Sequence, residues 1–158
     1  MPVIVINKQR RRRINPAPIE TFAQKVLERL GIPQANVCVV FVSDRKIQAL
    51  NRRYRGKNTP TDVLSFSYVD CLPLQREHRP TINVAANEHL GDLVISVETA
   101  ERQAATARLT FTNEVCKLII HGILHLCGYD HESDDGEMAA LERTLRRQLS
   151  KTAAIVGE

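Results

Sequence analysis

At 158 residues, 43% hydrophobic and 25% charged, the chain is sized for one domain, residues 1–158, with a proper core and an ordinary globular composition. No apolar run reaches membrane-spanning length, and the N-terminus lacks the basic start, apolar core and small-residue cleavage site of a signal peptide. The default expectation is therefore a cytoplasmic protein. The net charge of +4 is compatible with nucleic acid without establishing it.

In chain order, Val3 to Ile6 is a β-branched run and reads as a strand. The basic run Arg10–Arg13 follows as a loop. Pro16 and Pro18 open a helix whose inner face is Ile19, Phe22, Ala23, Val26, Leu27 and Leu30, at helical spacing. Gly31 and Pro33 end it. Val37 to Val42 is a continuous apolar strand suited to a sheet interior. Ser43 or Asp44 caps the next helix, with Ile47, Leu50 and Tyr54 inward and Gly56 as its stop. Its end carries the second basic cluster, Arg52, Arg53, Arg55 and Lys57.

Apolar and polar residues alternate from Leu64 to Tyr68, which is the strand period. The stretch 69–89 has no clear period and is long for a connection. Leu93 to Val97 is the last strand, and an alanine-rich helix follows over residues 98–107. Thr110 or Thr112 then starts a helix that is apolar nearly all round from Val115 to Cys127, as a buried central helix must be. A final helix, capped by Ser133 or Asp134, turns Met138, Leu141, Leu145 and Leu149 inward. The two early strand–helix–strand units favour parallel pairing. The third strand is joined to the fourth without a helix, so it runs antiparallel to it. The expected fold is α+β: a mixed four-stranded sheet packed with helices around a buried central helix. The four cysteines form no CxxC pair, and Cys38, Cys116 and Cys127 fall in apolar elements, so they read as reduced core residues.

That central helix carries the chemistry. His121-Gly-Ile-Leu-His125-Leu-Cys-Gly128-Tyr-Asp130-His131 holds three of the five histidines. His121 and His125 are four apart, so they project from one helix face about 5–6 Å from each other. Gly128 allows a left-handed turn that ends the helix and lets the chain return His131 to the same point. Three imidazoles with an open fourth position describe a catalytic zinc site of zincin-like pattern, HxxxHxxGxxH. Glu114 and Lys117 extend the same polar stripe on an otherwise apolar cylinder. A lone histidine there would be a hydrogen-bonded core residue; three at this spacing across a glycine turn point to metal. Cys127 is close enough to be an alternative thiolate ligand, but it lies on a different helix face.

A three-histidine zinc site lowers the pKa of water and supplies a Lewis acid, so phosphodiester, amide or ester hydrolysis could follow. Metzincin peptidases share the spacing but carry a glutamate general base after the first histidine. Gly122 stands there instead, which disfavours a peptidase. Asp130 and Glu114 are nearby carboxylates, with Asp130 better read as a turn or ligand-orienting residue. A cation near the metal would favour phosphate chemistry, and of the second basic cluster Arg55 is nearest the Gly56 turn.

Four motifs together resemble one family. Asn51-Arg-Arg-Tyr-Arg55-Gly56, Pro60-Thr-Asp-Val-Leu-Ser-Phe66, Leu90-Gly-Asp92 and the histidine stretch closely resemble the YbeY family, in the family's order and over essentially the whole chain. The resemblance implies a metal-dependent endoribonuclease that cuts single-stranded RNA, matures the 3′ end of small-subunit rRNA and takes part in ribosome quality control. It implies one Zn2+ per chain on His121, His125 and His131, with Arg55 as the functional arginine facing the metal. As partners it implies rRNA of the small ribosomal subunit, a small-subunit ribosomal protein and an assembly GTPase, with no membrane. A non-catalytic, zinc-stabilised ribosome-assembly factor that binds rRNA is the alternative, and a hydrolase of small esters or amides ranks third.

Overall fold

The computed structural model describes residues 3–68, 71–72, 81–82, 89–130, 132 and 134–150. The chain runs β1 (Val3–Asn7), α1 (Pro16–Arg29), β2 (Asn36–Val42), α2 (Asp44–Arg55) and β3 (Val63–Ser67). It continues through β4 (Cys71–Leu72), β5 (Thr81–Ile82), β6 (His89–Ser96), α3 (Val97–Ala107), α4 (Phe111–Leu126) and α5 (Glu137–Gln148). The main sheet has four strands in the order β1-β2-β6-β3. β1, β2 and β6 are parallel, and β3 is antiparallel to β6, so the sheet is mixed as expected. The first strand–helix–strand unit pairs its own strands. The second does not: β3 lands beyond β6 at the far edge, and β6 takes the place beside β2.

The two faces of the sheet are unequal. Val37, Val39 and Phe41 of β2 and Leu93 and Ile95 of β6 point to the side of α1 and α4, where the main core lies. α4 is its centre. Ten of its residues are buried, including Ile119, Ile120, Ile123 and Leu124. Each such aliphatic side chain contributes about 1.5–3 kcal/mol by leaving water. α2 covers the other face with a smaller cluster of Val42, Ile47, Leu64 and Val94.

Glycines set two close contacts. A Cβ on Gly122 would stand 2.6 Å from Leu93 Cδ2, so its absence lets α4 sit down on the sheet. A Cβ on Gly91 would run into the Phe66 carbonyl.

Several elements differ from the sequence expectation. β6 begins at His89, four residues earlier than Leu93, because His89, Gly91 and Asp92 already pair with β2, and Gly91 and Asp92 also with β3. The stretch 69–89 contains a short antiparallel ladder, Cys71 with Ile82 and Leu72 with Thr81. Tyr54 is 57% exposed rather than inward; Asn51, buried at the same end of α2, takes the inner position and donates to the Thr59 carbonyl at 2.9 Å. Of the paired cap candidates, Ser43 and Thr110 prove to be the N-caps, accepting from the backbone N–H of Lys46 and Asn113. Asp134 takes the backbone N–H of Met138 at the start of α5, and Ser133 lies outside the described residues. Cys116 and Cys127 are buried and Cys38 half-buried, all as free thiols. Burial pushes the Cys116 thiol up to about 12, which keeps it protonated and inert.

Candidate metal and phosphate site

α4 delivers the two helical histidines as their spacing requires. His121 and His125 meet edge-on with ring centroids 4.5 Å apart, and their Nε2 atoms stand 3.0 Å from each other. Both residues are half-buried at the rim of an otherwise buried helix. The helix then ends at Gly128, whose φ of 92° is left-handed. The Gly128 N–H donates to His125 O at 2.9 Å and the Tyr129 N–H to Leu124 O at 3.0 Å. The turn that the sequence called for is therefore formed. His131, the third histidine, lies outside the described residues.

One residue of the site was not foreseen. The Glu142 carboxylate, from α5, stands 2.9 Å from His121 Nδ1. A carboxylate accepts, so Nδ1 of a neutral ring carries the proton and Nε2 keeps its lone pair. That tautomer follows from the hydrogen-bond network. Nothing local in the sequence signals it, because Glu142 is 21 residues from His121 and reaches it only through the packing of α5 on α4.

A cavity of about 550 Å³ opens over the histidine pair. Arg55 and Lys57 line one wall, brought there by the end of α2 and its left-handed Gly56 cap (φ 68°). Asp62 lies at the entry to β3, with its Oδ1 accepting from the Val63 N–H at 2.7 Å. Ser65 and Ser67 line the β3 side, their hydroxyls donating to the Gly122 and Leu126 carbonyls of α4 at 3.3 and 3.5 Å. Asp130 also lines the cavity, and its Oδ1 accepts from the Glu132 N–H at 3.0 Å, the geometry of a turn residue.

Gly122 points at Leu93, not at the cavity. A side chain at that position would start toward the sheet and not toward the cavity. The upper end of the polar stripe leads to a second cavity of about 570 Å³, behind His121 and Glu142. Glu114 there is 1% exposed, with neither carboxylate oxygen hydrogen-bonded. Burial raises its pKa.

The donor set can be tested against a metal. Two nitrogens about 2.0–2.1 Å from one tetrahedral zinc stand about 3.3 Å apart. The 3.0 Å between the two Nε2 atoms is close to that, and the Glu142 contact leaves the right nitrogen of His121 free of its proton. The two described donors fit. Among the described residues no group of three or more His, Cys, Asp or Glu side chains is placed to hold a metal ion.

Comparison with known proteins agrees with this architecture. The family model described as Endoribonuclease YbeY matches residues 4–150. The chain is 38% identical to the endoribonuclease YbeY of Aquifex aeolicus, over 93% of this chain and 92% of that one. It is 41% identical to that of Pelotomaculum thermopropionicum, over 85% and 87% of the two chains. A Thermotoga maritima protein solved in solution is 28% identical, with a TM-score of 0.58 over 94% of this chain and 90% of that one.

Proposed function

The chain belongs to the endoribonuclease YbeY family, and from that premise we propose that it is a zinc-dependent endoribonuclease cutting single-stranded RNA. The observation that carries the reading is the convergence of His121 and His125 Nε2 at 3.0 Å, beneath a cavity walled by Arg55 and Lys57. His121, His125 and His131 hold one zinc per chain in a zincin-like set. Zinc there supplies Lewis acidity and acidifies water.

The remaining work falls to the protein's own groups. Glu142 keeps the proton on Nδ1 of His121 and fixes the ring. Arg55 and Lys57 face the scissile phosphate and offset the charge that builds on its non-bridging oxygens. The β3 wall of the cavity, tied to α4 through Ser65 and Ser67, keeps that phosphate over the histidine pair. No helix among the described residues is long and apolar enough to cross a membrane. The physiological substrate is rRNA of the small subunit, at its 3′ end, within the cytoplasm. A small-subunit ribosomal protein and an assembly GTPase are the expected protein partners, and ribosome quality control is the wider role; family resemblance supports these.

The test combines metal content with cleavage. Elemental analysis should find about one zinc per chain in the wild type and its loss in His121→Ala, His125→Ala and His131→Ala. Arg55→Glu should keep the zinc and abolish cutting of single-stranded RNA while leaving association with ribosomal subunits. Intact RNA after incubation with zinc-loaded wild-type protein would sink the enzyme reading. Loss of subunit association alone in Arg55→Glu would promote the non-catalytic assembly factor.

A further inference from the structure

Among the described residues, the sheet face turned away from α4 is only partly covered. Side chains alternate along each strand, so Ile4 and Ile6 of β1, Asp92 of β6 and Phe66 of β3 share that face. Tyr68, one residue past β3, continues the Phe66 side. α2 closes one end of the face, and no other described helix packs on it. Among the described residues five large hydrophobic side chains are exposed; Ile4 and Ile6 lie at the β1 edge of this face, and Tyr54 and Tyr68 lie at its β3 edge, beside Phe66 and His89. Tyr68 is 62% exposed. Clustered exposed apolar surface of this kind marks an interaction site.

The aromatic members are held in place. Tyr68 Oη donates to one Asp92 oxygen at 2.7 Å, and His89 Nε2 stands 2.8 Å from the other. The Tyr68 and His89 rings meet edge-on at 4.9 Å. Tyr54 leans edge-on against Phe66 at 5.4 Å, and the Arg53 guanidinium sits 5.4 Å from the Tyr54 ring centroid. Rings fixed this way lose little freedom when something stacks on them.

Charge and continuity identify the occupant. β3 is an edge strand. Ser65 and Ser67 line the histidine cavity on one side of it, and Phe66 faces the aromatic surface on the other. The last turn of α2 does the same: Tyr54 goes to the aromatic face and Arg55, the next residue, to the cavity wall. Basic residues at the end of α2 border both surfaces: Arg53 stands by the Tyr54 ring, and Arg55 and Lys57 line the cavity. Aromatic rings beside arginines suit single-stranded nucleic acid, since every base has a face to stack and every nucleotide a phosphate. We propose that the RNA flanking the cut bends round the edge of β3 and stacks bases on Tyr54 and Tyr68. This rests on the RNA-cleavage reading above and adds to it a second binding surface outside the cavity.

The experiment pairs fluorescence anisotropy on a 2′-O-methyl RNA of about 20 nucleotides, which resists cutting, with cleavage kinetics on the unmodified strand. Tyr54→Ala and Tyr68→Ala should each weaken binding about tenfold and raise KM, with kcat within about twofold of wild type. Tyr68→Phe keeps the ring and should stay near wild type. Leu109→Ala, an exposed apolar residue off this face, should change nothing. Unchanged affinity in both tyrosine-to-alanine variants overturns the proposal, as does an equal loss in Tyr68→Phe, which would assign the effect to the Asp92 hydrogen bond. Retained RNA affinity with lost binding of a ribosomal protein would make the face a protein-docking surface and also overturn it. If wild type cuts RNA and Arg55→Glu does not, while the tyrosine variants match wild type, only this inference falls. If wild type neither binds nor cuts RNA, both readings fall.

Discussion

A neutral imidazole has one donor and one acceptor nitrogen, and at His121 the Glu142 carboxylate decides which is which. Glu142→Ala should therefore lower zinc affinity about 10- to 100-fold without touching a ligand. Competition against a chromophoric chelator measures it. Glu114 makes the opposite kind of statement. Burial raises its carboxyl above the ordinary 4.5, with nearby Asp62 adding to the rise and Lys117 opposing it. The folded state then holds a proton that the unfolded chain has released, so stability falls as pH rises through the window above 4.5. Glu114→Gln removes that cost. It should melt higher than wild type at pH 7, and the difference should close by about pH 4. A wild-type advantage at pH 7 would mean that the carboxylate has a compensating charge partner.

Between elements, α4 and the sheet approach closely because neither Gly122 nor Gly91 has a side chain. Gly122→Ala must push Leu93, itself fully buried, and should cost about 1–3 kcal/mol in urea unfolding, as overpacking does. Gly91→Ala meets a backbone carbonyl that cannot rotate away, so it should cost more than Gly122→Ala. Equal stabilities would mean that β3 and β6 separate readily. The same packing turns a side chain at the position after the first histidine toward Leu93. Gly122 has a structural duty at the sheet, whatever chemistry the cavity performs.

At the scale of the molecule, the charge is placed rather than spread. Arg55 and Lys57 line the cavity, while the first basic run is partly occupied elsewhere: Arg11 and Arg12 pair with Glu101 on α3, and Arg12 also covers the Phe111 ring. RNA affinity should fall with salt by about 0.7 log units per log unit for each phosphate neutralised. Replacing Arg55 and Lys57 by glutamine together should reduce that slope by about 1–2, whereas Arg11→Gln should leave it unchanged. An equal effect from Arg11 would place the RNA across the other end of the protein.

The sequence by itself determined whatever depends on near neighbours along the chain. The strand period around Leu64, the helical period of Ile19 to Leu27, the buried character of α4, the Gly128 turn and the i,i+4 pair of histidines are all set by local geometry. So is the mismatch with a peptidase at Gly122. Family resemblance added Arg55, and the structure brings Arg55, His121 and His125 to one cavity. Tertiary structure alone decided the rest. It placed β6 between β2 and β3, brought Glu142 to His121, and exposed Tyr54 while burying Asn51. Each of these depends on which elements pack together across long separations in sequence. Periodicity carries no information about that choice, because it reports which face of an element is buried and not what buries it.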